Sequence, residues 1–251
     1  MLIDISSKYK IETMKKIFLF LLVLIAANIC RAQNEIVVDP NASVRTLSGN
    51  FSTIKISGGI DLYLSQSDNE AVAVSATEEK FKDAIKTIIE NGVLKIYSEG
   101  EKNWKLKDKK MRAYVSFKNL EKLDASGACD IVVSGTISVS SLDLVMSGAS
   151  DFKGKVKLNI LKLNLSGASD VNISGTANTV DIVSSGASDV DGYNLVSDIC
   201  NAKASGASDI NITVNKELNA SASGASEIRF KGTGLIKDMH SSGASSVSRK
   251  S

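Results

Sequence analysis

The sequence predicts an all-β protein, a right-handed parallel β-helix with one helix in its irregular N-terminal part. Three observations predict this fold. A pentapeptide close to Ser-Gly-Ala-Ser-Asp occurs seven times in the second half of the chain, its copies recur about every twenty residues, and apolar and polar residues alternate on both sides of each copy. A period of this length is typical of solenoid proteins, in which each repeat adds one coil to a stack.

The pentapeptides supply a bend at the same place in every coil. Their glycines are separated by 21, 19, 19, 20, 18 and 19 residues, and they are Gly127, Gly148, Gly167, Gly186, Gly206, Gly224 and Gly243. Glycine adopts backbone angles that are closed to other residues, and alanine and serine are small enough to stack from coil to coil. We therefore expect these glycines to be structural.

Residues on either side of each bend alternate as in strands with one buried face. Before the glycine, every second residue is mostly aliphatic, as in Leu161, Leu163 and Leu165, and the fourth residue after it is apolar in all copies. Each repeat thus predicts two short strands. Coils stacked about 4.8 Å apart in parallel register share one core, and parallel connections are nearly always right-handed.

The region before the first pentapeptide is less regular. Residues 57–61, Ser-Gly-Gly-Ile-Asp, predict a divergent bend of the same kind. An apolar stripe at helical spacing predicts a helix over residues 78–90, with Asn91-Gly92 as its stop. A free end of a β-helix exposes unpaired strand edges, so we expect the helix to be a cap or an insertion.

The N-terminus predicts export to the periplasm or cell surface of a Gram-negative bacterium. Met14-Lys-Lys precedes an apolar run over residues 17–27, and Ala32 ends a small-x-small cleavage site. Residues 1–32 are therefore a predicted signal peptide with a mis-called extension before Met14. Lipidation of Cys30 is the alternative, which the bulky residue before it disfavours. Residues 33–251 are the predicted β-helix domain, with irregular first coils over 33–119 and regular repeats over 120–251.

Composition excludes several classes of partner. Without residues 1–32 the chain has 25 basic and 26 acidic side chains, so no concentrated positive charge points to nucleic acid. No second apolar stretch is long enough to predict a membrane span. Cys129 and Cys200 occupy different positions in their repeats, so we expect no disulfide. Cys200 aligns with leucines and a valine, which predicts a small buried side chain.

The third residue after the bend glycine is acidic in six of the seven copies, and stacking would align these acids in one outward row. We call this row the acidic ladder: Asp130, Asp151, Asp170, Asp189, Asp209 and Glu227. Charges about 5 Å apart repel by about 0.9 kcal/mol per pair in water. The acids must therefore be solvated, hydrogen-bonded to backbone amides, or neutralised by cations. We favour a structural role in capping the bends; calcium binding is the alternative.

The sequence gives little support for catalysis. Glycoside hydrolysis needs two carboxylates in different environments, whereas repetition makes the ladder acids equivalent. His240 is the single histidine, which disfavours a His-based metal site or a Ser–His pair. We therefore expect no catalytic residues, metal ligands or cofactor. Trp104 and Tyr114 are candidates for a sugar-stacking platform and, equally, for end-capping residues.

The repeated bends, the Gly-Gly-Ile-Asp variant, the predicted helix that ends at Asn91-Gly92 and the signal peptide together resemble the head GIN domain family. This family comprises auto-transporter adhesins common in Bacteroidetes, and the resemblance covers roughly residues 51–247. It implies a right-handed parallel β-helix related in shape to pectin lyases, and a role in cell adhesion. It carries no catalytic residues over to this chain.

We therefore expect an exported, non-catalytic binding or structural module, an adhesin that presents repeated polar side chains on a β-helix. The sequence does not identify the ligand, and we expect a carbohydrate or another cell-surface ligand. Two alternatives stay open. One is an envelope protein that assembles into homo-oligomers through its β-helix edges, and the other is a polysaccharide-active enzyme.

Overall fold

The computed structural model describes residues 39–99 and 109–250, and 69% of the structure is strand. The predicted signal peptide, Cys30 and Trp104 lie outside the described residues. Residues Asp39–Ser251 cluster as one compact unit. The helix α1 (Glu79–Ala84) lies between the fourth and fifth strands, and the strands are β1 (Ser43–Arg45), β2 (Thr53–Ser57), β3 (Asp61–Gln66), β4 (Ala71–Ser75), β5 (Ile85–Glu90), β6 (Val93–Ser98), β7 (Arg112–Phe117), β8 (Lys122–Gly127), β9 (Asp130–Ser138), β10 (Ser141–Gly148), β11 (Asp151–Leu165), β12 (Asp170–Ser184), β13 (Asp189–Ala204), β14 (Asp209–Gly224), β15 (Glu227–Lys231), β16 (Leu235–Gly243) and β17 (Ser246–Arg249).

Successive coils in the second half pair in parallel with their bends in register. Gly148 lies opposite Gly127, and Gly243 lies opposite Gly224. Strands β11 to β14 run for 15 or 16 residues each and pair along most of their length. The chain is therefore a parallel β-solenoid of about 7 turns, which confirms the predicted fold class.

The prediction of two short strands per repeat is wrong for the central coils. Strands β11 to β14 continue through the middle of the coil because the backbone bends there within the strand. The β11–β12 ladder continues in register through this bend, whereas the β12–β13 and β13–β14 ladders shift in register there. In β12 the bend falls at Gly175, whose φ is +111°. A Cβ at this position would lie 1.9 Å from the carbonyl oxygen of Val156 in the preceding coil, so only glycine fits.

The inward rows form one continuous core along the stack. Aligned positions of successive coils are fully buried, as in the row that contains Leu142, Leu161, Val180, Cys200 and Leu218. Each residue of this row lies opposite the next across a parallel pair. The predicted place of Cys200 in the core is thus confirmed.

Each bend divides its coil into two segments. The segment before the bend belongs to the first face, formed by β8, β10, the ends of β11 to β14, and β16. The segment after it belongs to the second face, formed by β9, the starts of β11 to β14, β15 and β17. We call the second face the ladder face, because the acids follow the bend directly.

The bend itself is a close backbone contact between coils. Gly167 has φ +81°, and the next residue, Ala168, donates its N–H to the carbonyl oxygen of Gly148 at 2.7 Å. A Cβ on Gly167 would lie 2.4 Å from that oxygen. The same backbone hydrogen bond recurs at all six coil-to-coil steps, at 2.7–2.8 Å.

The predicted bend at residues 57–61 joins the same stack, but out of chain order. Ser57 lies opposite Ser126, and Leu62 lies opposite Ile131. The coil of β2 and β3 therefore lies between two later coils. Strands β6 and β7 pair with it on one side, and β8 and β9 pair with it on the other.

The predicted helix over residues 78–90 is wrong for its second half. Only Glu79–Ala84 is helical, and Ile85–Glu90 forms β5, antiparallel to β6. Asn91 and Gly92 both have positive φ, 51° and 75°, and they link two directly paired strands. This is the geometry of a two-residue hairpin turn, for which Asn-Gly is the preferred sequence. The dipeptide closes a hairpin and does not end a helix.

The N-terminal end of the solenoid is covered by antiparallel strands. β5 pairs with the outer edge of β6, while β4 pairs with β7 and β1 pairs with β4. Phe51 and Phe81, the latter from α1, are almost fully buried there. Within residues 39–99 and 109–250, no helix has the length and apolar character that a membrane crossing requires.

The glycine contact can be tested by comparing Gly167→Ala with Gly135→Ala. Both glycines have φ near +80°, but a Cβ on Gly135 would meet nothing within 4 Å. The left-handed backbone should cost Gly135→Ala about 1–2 kcal/mol in free energy of unfolding. Gly167→Ala should lose clearly more, because its methyl group also overlaps a carbonyl oxygen of the preceding coil. Urea unfolding measures both losses, and equal losses would show that the close contact is unimportant.

Candidate binding surface

The strand register brings the six acids of the acidic ladder into one row. Each acid lies directly opposite the next, from Asp130 through Glu227. The row faces outward, with Asp130 to Asp189 exposed and Asp209 and Glu227 half-buried. In the last coil Ser246 takes the same position.

Asp61 adjoins the acidic ladder, which the sequence analysis missed. It lies beside Asp130, because Leu62 and Ile131 are opposite each other. Burial, and then the charge of Asp130, raise the pKa of the Asp61 carboxyl. Arg112 lies opposite Asp61 and partly offsets this effect. The signal was available in the sequence, since Asp61 ends the divergent bend at the ladder position.

A second outward row runs beside the acids on the ladder face. It holds Val132, Lys153, Asn172, Asp191, Asn211 and Arg229, which lie opposite one another in successive coils. A shallow groove over three coils is lined by Asp130, Asp151 and Asp170 on one side and by Val132, Lys153 and Asn172 on the other. The surface therefore combines carboxylates with amide, ammonium and aliphatic groups.

The carboxylates differ in what they contact. Arg229 forms ion pairs with Glu227 and, at 3.4 Å, with Asp209. The carboxylate of Asp189 accepts a hydrogen bond from the backbone N–H of Asp209 at 3.2 Å. In the part of the chain that the structure describes, no group of three or more His, Cys, Asp or Glu residues could hold a metal ion. The capping role of the acids stays a prediction.

A buried row of serines fixes the bends just behind the acids. It consists of the second serine of each pentapeptide: Ser150, Ser169, Ser188, Ser208, Ser226 and, half-buried in the last coil, Ser245. Each hydroxyl donates to the carbonyl oxygen three residues earlier, at 2.8–3.1 Å. Most also contact a carbonyl oxygen of the preceding coil, as Ser208 does with Ser184 at 3.2 Å. Buried hydroxyls need such partners, so this row holds the adjacent acids in place.

The sequence analysis did not assign the serine row, although the alternation of inward and outward residues in each repeat contained the signal. The serine lies two residues after the glycine and thus has the parity of the inward positions. Cys129 occupies the same position in the first copy, and its thiol contacts the carbonyl oxygen of Ser126 at 3.4 Å. Both Cys129 and Cys200 are buried and free.

On the first face, several polar side chains bind one another. Asn201 donates to Asp181 at 2.7 Å, and Asn219 donates to Asn201 at 2.8 Å. Asp143 forms an ion pair with Lys122 at 2.9 Å. These groups are engaged within the sheet, whereas Asp130, Asp151 and Asp170 line an open groove.

Tyr114 lies on β7, where the ladder face continues from β9 through β3 to β7. Its ring stacks on Tyr63, with centroids 5.1 Å apart, and its hydroxyl donates to Asp39 at 2.8 Å. Burial and the bond to Asp39 raise the pKa of Tyr114 to about 12. Tyr114 is therefore half-buried and fixed by these contacts. His240 lies exposed on β16, 3.4 Å from Asp238 and away from the ladder face.

The fold and this surface define a class of protein, the β-solenoids that present rows of polar side chains on flat sheets. The chain belongs to the family described as "putative auto-transporter adhesin, head GIN domain", whose family model matches residues 50–234. The family predicted from the sequence is thereby confirmed. No curated protein sequence matches the chain.

Solved structures from the Bacteroidetes share the fold. A putative adhesin from Bacteroides fragilis is similar with a TM-score of 0.77 at 20% identity, over 84% of this chain and 98% of that chain. A putative adhesin from Parabacteroides distasonis has a TM-score of 0.64 at 18% identity, over 84% and 98% of the two chains. A protein of the same species named as a putative lipid binding protein has a TM-score of 0.61 at 19% identity, over 85% and 98%. At these identities the likeness shows the fold alone.

The raised pKa of Asp61 predicts how Asp61→Asn changes the pH dependence of stability. A carboxyl whose pKa is higher in the folded state stabilises the fold when protonated, and this contribution is lost as the pH rises. The stability of Asp61→Asn relative to the native protein should therefore increase as the pH rises from below 3.8 towards neutrality. Urea unfolding between pH 3 and pH 7 measures the difference. Asp68→Asn, at an exposed position, is the control, and an equal trend in it would contradict the assignment.

The same substitution should destabilise the two buried cysteine positions to different extents. Cys129→Ser places a hydroxyl in the serine row, where a carbonyl acceptor is present, and should change the free energy of unfolding by less than about 1 kcal/mol. Cys200→Ser places a hydroxyl among leucines and a valine and should cost about 1–3 kcal/mol. Thermal and urea unfolding distinguish the two. Equal losses would contradict the role given to the serine row.

Proposed function

We propose that the protein is an exported, non-catalytic, adhesin-like binding module of the periplasm or cell surface, and that the ladder face carries its ligand site. The observation that supports this most is the open, in-register row of acids flanked by mixed polar and aliphatic side chains. Family membership supports the adhesin-like role. The predicted signal peptide supports export.

The chemistry of the face favours a polyhydroxylated ligand such as a carbohydrate. Carboxylates and amides accept and donate hydrogen bonds to hydroxyl groups, and the flat groove along Asp130, Asp151 and Asp170 suits an extended chain. Because equivalent groups recur in successive coils, affinity comes from several weak contacts along the stack. Asp130, Asp151 and Asp170 occupy equivalent positions, whereas hydrolysis requires two carboxylates of unlike pKa, so these three acids favour binding.

A glycan array tests the proposal with a matched pair of triple variants. Asp151→Ser/Asp170→Ser/Asp189→Ser removes three rungs, and serine is tolerated at this position because Ser246 already occupies it. Asp124→Ser/Asp143→Ser/Asp181→Ser makes the same charge change on the first face. The native protein and the first-face variant should bind the same glycans, and the ladder variant should bind at least about tenfold more weakly.

Three results would contradict the proposal. The native protein could bind no glycan and no intact cell, the two triple variants could lose binding equally, or the protein could release products from an acidic polysaccharide. Fractionation of cells, with proteolysis of intact ones, tests the proposed location separately.

A further inference from the structure

Within residues 39–99 and 109–250, antiparallel strands cover the N-terminal end of the solenoid and no segment covers its last coil. In the preceding coil the inward residues Leu218 and Ala220 are buried, with exposures of 0% and 3%. Their counterparts in β16, Ile236 and Met239, are 42% and 51% exposed. In the described residues β16 pairs only with β14, so its outer backbone edge is open.

At this end of the solenoid, the exposed large apolar side chains belong to β16, and they are Leu235, Ile236 and Met239. Beside this strand, the side chain of Arg249 lies over the Phe230 ring, 4.5 Å from its centroid, and donates to the carbonyl oxygens of Gly232 and Gly234. Phe230 is only 1% exposed as a result. The end of the core is thus shielded from solvent beside β15 and β17, and it is exposed to solvent beside β16.

The edge of β16 is complementary to itself in an antiparallel arrangement. Asp238 lies opposite Asn219, 3.4 Å from His240, and Lys237 is an extra residue in a bulge beside it whose ammonium group lies 2.7 Å from Glu217. When two copies of β16 run antiparallel with Ile236 opposite Met239 of the other copy, each Lys237 lies opposite an Asp238. This register joins apolar to apolar residues and positive to negative charges at once, and each bulge faces a bulge.

We propose that the protein forms a closed two-fold dimer through this edge, β16 against β16 of a second copy. Open strand edges readily pair with another strand, and two-fold symmetric interfaces are the commonest among oligomers. Antiparallel pairing is also how this chain closes its own N-terminal end, where β5 covers β6. The contact lies at the end of the stack, so the ladder faces of both copies stay accessible.

Analytical ultracentrifugation of the purified protein over a range of concentrations tests the dimer. The native protein should reach twice the monomer mass at micromolar concentrations. Met239→Lys should weaken the dimer at least about tenfold, because two like charges would enter the apolar contact. Val183→Lys is the matched control, because Val183 is 45% exposed and lies on the first face, away from the edge of β16. This variant should leave the dimer intact. Circular dichroism confirms that each variant is folded.

A charge exchange tests the register itself. Lys237→Asp should weaken the dimer, because two acids would face each other across the interface, and Lys237→Asp/Asp238→Lys should restore it. A native protein that stays monomeric at about 100 μM, far above the dissociation constants of stable complexes, would overturn the proposal. So would an open-ended polymer, a dimer that Met239→Lys leaves unchanged, or a double variant no better than the single one.

Discussion

The close approach of glycine backbones at the bends is the constraint on which the rest of the solenoid depends. A carbonyl oxygen of one coil occupies the space in which a side chain of the next coil would lie, and it accepts the following alanine N–H. This contact sets the register of each coil on the last. A strand shifted by one residue would turn its apolar side chains outward, so the register also determines the core.

The polar parts of the surface follow from the same register. The serine hydroxyls stay buried because backbone carbonyls of the bend accept their protons, and this fixes the position of the acid next to each serine. The acids then form a row because each follows its serine directly and the coils are stacked in register. Charge repulsion along that row is relieved unevenly, by Arg229 at one end and by a backbone N–H at Asp189. The three acids of the groove keep their oxygens open to the exterior.

The features that repeat could be predicted from the sequence, whereas those that occur once could not be predicted fully. Bends and alternation are local patterns, and seven copies allow inward and outward positions to be separated. Residues 85–90 show where this fails, because their apolar spacing suits a helix and a strand equally. These residues form a strand because they pair with the edge of β6, and this edge exists only in the folded protein. For Asp61, the divergent bend indicates the ladder position within its coil, but which coil lies beside it follows only from the pairing of β3 with β9.

The coil of β2 and β3 has later segments of the chain on both sides, and this has a consequence for biogenesis. The strands that flank this coil come from residues 93–131. Strands β2 and β3 therefore remain without these partners until that part of the chain has been synthesised. Beyond Gly148, by contrast, each coil needs only the one before it. The stack can therefore grow vectorially from that point, and duplication or loss of a repeat of about nineteen residues would change the length of the protein without disturbing its start.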